Sequence, residues 1–178
     1  MPLSPAAWKL AGRAAAHQLW TLVGDVGQRR KKARPIPVAV LDLPSGERTV
    51  IRFVDANDPP TEAKKAARMA DAPRYVMAAD AELAASQDAL VLMVHEGRNH
   101  AQIVIAYNTP FKVIAVEGMP IGDASRNALR EGLREHDAWA AIEDHLGPLG
   151  DDSVASVPIK RAAPVTAQFG RFRIRGGI

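Results

Sequence analysis

The sequence predicts an α+β protein: a mainly antiparallel sheet of five to seven strands packed on a long helix over residues 123–146, with an N-terminal helix and a C-terminal basic extended arm. Three observations lead there. Three apolar, β-branched runs, residues 89–95, 100–107 and 111–116, follow one another with only short turns between them, the pattern of an antiparallel meander. Apolar residues recur at three- and four-residue spacing near the N-terminus, and Leu129, Leu133, Trp139, Ile142 and Leu146 follow Asp123 with no proline or glycine pair before Gly147-Pro148. Past Gly150 the chain becomes short extended pieces broken by Pro158 and Pro164. The 178 residues suit one domain with extended ends, divided as 1–34 (helix and basic segment), 35–150 (α+β core) and 151–178 (arm).

The first helix begins at about Pro5, because the Ser4 hydroxyl can accept an orphan N–H bond and proline is pre-set for the first helical position. Trp8, Ala11, Ala15, Leu19, Leu22 and Val26 form its apolar stripe; Pro35 and Pro37 stop it. Residues 37–43 and 48–54, joined by Pro44-Ser45-Gly46-Glu47, predict a β-hairpin. Residues 55–60 read as a loop, after which Thr61 caps a helix running through Ala63, Lys64, Ala67 and Arg68 toward Asp71. The alanine- and leucine-rich segment 79–86 predicts a second short helix.

The meander comes next, with turns at Gly97-Arg98-Asn99 and Asn108-Thr109-Pro110. Asp123 is the expected N-cap of the long helix, which carries Leu129, Leu133, Trp139, Ile142 and Leu146 and closes at Gly147-Pro148. That helix is expected to cover one face of the sheet. In the arm, Arg171, Arg173 and Arg175 alternate with Phe172 and Ile174, so an extended backbone would send the three guanidinium groups to one face.

The chain has no cysteine, which excludes a disulfide scaffold, a thiolate metal site and a cysteine nucleophile. Its apolar runs are far shorter than the about 20 residues a bilayer core requires, and no secretory leader is legible, so a cytoplasmic protein without a membrane partner is expected. Charge is the unusual feature. Residues 1–35 hold seven basic residues against Asp25 alone, a balance of +6; residues 36–150 hold eleven basic and seventeen acidic, −6; residues 151–178 hold five basic and two acidic, +3. The formal net charge of +3 therefore conceals an acidic body between two basic ends.

Motifs for chemistry are few. In His95-Glu96-Gly97-Arg98-Asn99-His100 the histidines stand five apart about a turn, whereas a zincin helix needs them four apart on one face. Glu96-Gly97-Arg98, His100, Val113, Ile114 and Ile121-Gly122 are similar to the closing motif of a family of RNA pseudouridine synthases. The glycine-arginine-leucine-aspartate run that holds that family's catalytic aspartate is absent, and no activity is carried over. Asp42, Asp55 and Asp58 lie at a strand end and the following loop, where paired acids can hold magnesium, but aspartate there also forms Asx-turns. His136 and His145 stand nine apart, on opposite sides of a helix. No serine sits in a nucleophile elbow, and no phosphate-binding loop or dinucleotide fingerprint is present. No catalytic residue, metal ligand or cofactor is expected.

Binding remains. Arg29, Arg30, Lys31, Lys32 and Arg34 at one end, with Lys160, Arg161, Arg171, Phe172, Arg173 and Arg175 at the other, have the residue types to hold phosphates and stack on bases. The expectation is a non-enzymatic protein that contacts nucleic acid through these ends. The alternative is a structural subunit of a homo-oligomer or larger assembly, such as one of a bacterial virus, whose basic ends dock on acidic neighbours. A weaker alternative is a metal-dependent hydrolase or nuclease using Asp55, Asp58 and His95.

Overall fold

The computed structural model describes residues 2–27, 36–54, 56–83, 87–107, 112–115, 122–149 and 172–174. Helix α1 spans Pro5–Gly27. It starts as the sequence predicts, with Ser4 Oγ accepting the Ala7 N–H at 3.3 Å and the Ser4 carbonyl accepting those of Ala7 and Trp8. Its buried surface is wider than one stripe. Leu10, Ala11, Ala14, Ala15, Ala16 and Leu19 are all fully covered, because small side chains let other layers approach the helix from more than one side.

Strands β1 (Val38–Asp42) and β2 (Arg48–Arg52) form the expected antiparallel hairpin, with Val40 opposite Val50. β1 is buried throughout, whereas β2 is an edge strand, largely exposed and carrying arginine at both ends, a composition that discourages edge-to-edge pairing. Helix α2 (Pro59–Met69) follows. Its cap is Asp58 rather than Thr61: Asp58 Oδ1 accepts the Thr61 N–H at 3.3 Å and Oδ2 accepts the Thr61 hydroxyl at 2.6 Å. Pro59 and Pro60 occupy the first turn, where a missing N–H costs nothing. The helix ends in a Schellman arrangement: the Ala72 N–H donates to Ala67 and the Asp71 N–H to Arg68, with Asp71 taking the positive φ of 48° usually left to glycine.

Strand β3 (Arg74–Leu83) takes residues 79–83 of the segment 79–86 where the sequence predicts a helix, and residues 84–86 lie outside the described residues. Propensity loses here to context. β3 lies centrally in the sheet between β1 and β4, and its small residues Ala78 and Ala79 are fully buried on opposite faces, where alanine leaves room for helices to sit close. Strands β4 (Gln87–Glu96), β5 (Asn99–Ala106) and β6 (Lys112–Ala115) then form the predicted meander. The β4–β5 turn is two residues long, with positive φ at Gly97 only, the pattern of a type II′ turn; Asn99, expected in the turn, is already in β5.

The long helix predicted over 123–146 is two helices, α3 (Asp123–Arg134) and α4 (Trp139–Leu146). From Leu133 to Trp139 is six residues, about 240° round a continuous helix, so an unbroken helix would carry Trp139 and Ile142 away from the side on which Leu129 and Leu133 are buried. The break at 135–138 returns them, and all four sit in the main core. His136 Nδ1 accepts the Ala138 N–H at 3.1 Å and holds the bend. Gly122, not Asp123, occupies the N-cap position, and Gly147 closes α4 at φ 87°.

The sheet order is β2-β1-β3-β4-β5-β6, every neighbour antiparallel, and β7 (Phe172–Ile174) pairs with the distal end of β3. α1, rather than the segment 123–146, lies along the sheet, against β1, β3 and β4, and α3 is seated on α1. The main core joins Leu10, Ala14 and Leu19 of α1 to Val76, Leu90, Leu92, Ile103 and Ile105 of the sheet and to Leu129, Leu133 and Ile142. Each fully buried valine, leucine or isoleucine side chain among them contributes about 1.5–3 kcal/mol. On the opposite face a smaller cluster packs Ala63 and Ala67 of α2 against Leu41, Met77 and Ala79.

Candidate functional site

Of the cations expected to bind, Arg29, Arg30, Lys31, Lys32, Arg34, Lys160, Arg161, Arg171 and Arg175 lie outside the described residues. Phe172 and Arg173 belong to β7, in register with Leu83 and Glu82 of β3, and the rest of the arm expected over residues 151–178, apart from Ile174, lies outside the described residues. Asp55 lies outside the described residues, and the Asp58 carboxylate is engaged in capping α2.

The two other cations of the N-terminal segment are paired on the acidic body. Lys9 Nζ stands 2.6 Å from Glu131 Oε1 and 2.5 Å from Glu135 Oε1, and Arg13 pairs with Glu135 Oε2. The bonds to Glu131 and Glu135 raise the Lys9 pKa, and the bond from Lys9, helped by Arg13, lowers that of Glu135. A part of the +6 balance is therefore neutralised within the chain.

Two rows of polar side chains cross one end of the sheet on successive rungs. Asp42 of β1, Arg74 of β3 and Glu96 of β4 are direct register partners. Arg74 Nη1 donates to Asp42 Oδ2 at 3.0 Å and its Nε to Glu96 Oε1 at 3.2 Å, while Arg48 of β2 reaches Asp42 Oδ1 at 3.0 Å. Glu96 also accepts the Ser4 N–H at 2.8 Å and the Ser4 hydroxyl at 2.6 Å, which ties the start of α1 to the sheet. Burial opposes ionisation of Glu96, but Ser4 and Arg74 together hold its pKa below the ordinary value.

One residue along, Tyr75, His95 and His100 are again cross-strand neighbours, and the alternation of strand side chains puts them on the opposite face. Tyr75 and His95 stack with ring centroids 4.6 Å apart at 9°, and His95 and His100 stack at 6.0 Å and 26°. Tyr75 and His95 are half-buried, whereas His100 is exposed at the end of the stack. Burial lowers the His95 pKa, and the charges of His100 and Lys64 act in the same direction; burial raises the Tyr75 pKa against the influence of Arg68. Lys64 and Arg68 are one turn apart on α2 and both exposed, and Arg98 is exposed in the adjoining turn.

Sequence reasoning singled out His95 and His100 as flanking a hairpin but missed Tyr75, Lys64 and Arg68 as their neighbours. The i, i+4 spacing of the two cations was a legible signal, whereas the position of Tyr75 depends on β3. A third polar contact joins His17 of α1 to His136, edge to face at 6.1 Å. Burial lowers the pKa of both, with His136 and Arg52 adding to the effect on His17 and Asp137 opposing it on His136.

Among the described residues, no group of three or more histidine, aspartate or glutamate side chains is placed to hold a metal ion, and no helix is long and apolar enough to cross a membrane. No protein-family model, curated protein or solved structure matches the chain. The ionic row is arranged to hold β1, β3, β4 and α1 together. The ring row ends at the exposed His100, with exposed cations on α2 and in the adjoining turn.

Proposed function

We propose that the protein is a non-enzymatic, cytoplasmic binding protein that contacts nucleic acid through its basic segments, residues 29–34 and the C-terminal arm at 160–175. The observation that carries this reading is the concentration of Arg29, Arg30, Lys31, Lys32 and Arg34 within six residues, next to a helix whose own cations Lys9 and Arg13 are engaged with α3. A short, dense cationic run raises the local concentration of polyanions and binds them by releasing their counterions. Apparent affinity for a plain oligonucleotide should therefore fall steeply with salt, by a slope close to the number of phosphates neutralised. A filter-binding series tests this; no retention even at low salt removes the reading. An independent check is the ratio of absorbance at 260 and 280 nm of the purified protein before and after a high-salt wash.

A second reading, a homo-oligomeric structural subunit such as one of a bacterial virus, is favoured by the pairing of Lys9 and Arg13 with Glu131 and Glu135. It demonstrates that carboxylates of the acidic body accept cations from the N-terminal segment. The same chemistry between subunits would join neighbours. Sizing at low and high salt separates the two readings, since a monomer at both counts against assembly.

A further inference from the structure

We infer that the row Tyr75, His95 and His100, bordered by Lys64, Arg68 and Arg98, is a stacking platform for single-stranded nucleic acid. The inference rests on the nucleic-acid reading above and names the part of the molecule that contacts bases. Its basis is the geometry of the sheet face on which α2 packs. Three rings from three adjacent strands form one stack, 4.6 Å and then 6.0 Å between centroids, and the outermost ring, His100, is exposed. A base laid on His100 continues a stack that Tyr75 and His95 already hold in place, so little side-chain freedom is lost on binding.

The border has the matching charge. Lys64 is near enough to His95, and Arg68 to Tyr75, to influence the titration of those rings, and both cations are exposed on the same side of α2. Arg98 occupies the two-residue turn that joins the strands of His95 and His100. Stacked rings with cations at their margin fit a strand whose bases are unpaired and whose phosphates lie to the side. A duplex, with its bases stacked inward, offers this surface only phosphates.

The test uses the full chain and three probes of equal length: dT20, U20 and a 20-base-pair duplex, followed by fluorescence anisotropy at low salt. Wild type is expected to bind dT20 or U20 more tightly than the duplex, and the tighter of the two identifies DNA or RNA as the source. His100→Ala is expected to weaken single-strand binding by about five- to a hundredfold while leaving the duplex unchanged, and His100→Tyr to restore it. Lys64→Ala combined with Arg68→Ala should reduce the salt slope by about 1.4, the value for two phosphates of a single strand. A readout without substitution comes from 2-aminopurine in the oligonucleotide, whose emission is quenched when it stacks. Single-strand binding that is lost when the five cations at 29–34 are replaced by alanine, unchanged in His100→Ala and without quenching, overturns the platform and leaves the nucleic-acid reading intact. Absence of binding to all three probes overturns both.

Discussion

Gly12 of α1 and Gly132 of α3 meet backbone to backbone. A Cβ on Gly12 would stand 2.1 Å from the Leu129 carbonyl oxygen, and one on Gly132 would stand 2.0 Å from that of Lys9. Neither obstacle is a side chain that can swing aside. The two glycines thus set the spacing of the helices, and the same approach brings Lys9 and Arg13 against Glu131 and Glu135.

Gly12→Ala or Gly132→Ala should therefore destabilise the fold by about 3 kcal/mol or more, since forcing atoms into a packed interface outweighs the roughly 1 kcal/mol by which alanine favours a helix. Urea unfolding measures it. A variant as stable as wild type would mean that the helices do not approach this closely.

Arg74→Leu removes the cation between Asp42 and Glu96, and should cost about 1–3 kcal/mol by leaving two partly buried carboxylates short of a donor. Because the Glu96 pKa is lower in the folded protein than its ordinary 4.5, the row stabilises the fold above pH 4.5 and loses that contribution as pH falls through the lowered value. Denaturant midpoints taken from pH 6 down to pH 3 should drop less in Glu96→Gln than in wild type.

Asp58→Ala should destabilise by about 1 kcal/mol through loss of the α2 cap, and Thr61→Val by less, because the Thr61 N–H keeps its acceptor. Thermal unfolding followed by far-UV circular dichroism checks the order of the two. Equal losses would assign the cap to Thr61.

His17, His95 and His136 all have folded-state pKa values below the ordinary 6.5, so the unfolded chain binds more protons as the medium becomes acidic. Their neutral forms stabilise the fold fully above pH 6.5, and that contribution declines as pH falls through 6.5 toward the lowered values. Unfolding free energy should decrease from pH 7.5 to pH 5.5, and replacing His17 and His136 together by glutamine should flatten the decrease. A stability independent of pH across that interval would contradict the burial of these rings.

Much of the architecture was legible because it depends on local chemistry. Ser4-Pro5 marks the start of α1, Gly97 marks the β4–β5 turn, and the β-branched runs mark the meander, each through constraints that act within a few residues. The failures share a cause. Ala79 to Ala81 lie in β3 because two helix layers close on that strand, and no local preference of alanine signals this. The break between α3 and α4 was visible in part, as the six-residue interval from Leu133 to Trp139. At the ring row, His95 and His100 could be paired through their hairpin, but Tyr75 could not be added without the β3–β4 register.

By itself, then, the chain determined the β1–β2 and β4–β5 hairpins, the start of α1, the close of α4 at Gly147 and the division of charge into basic ends and an acidic middle, because turn geometry, capping and composition are local properties. Tertiary structure alone decided that α1 lies between the sheet and α3, that Arg74 is shared by Asp42 and Glu96, and that three rings from separate strands form one stack. Those relationships depend on which surfaces are buried against each other across many residues, and burial is a property of the assembled layers.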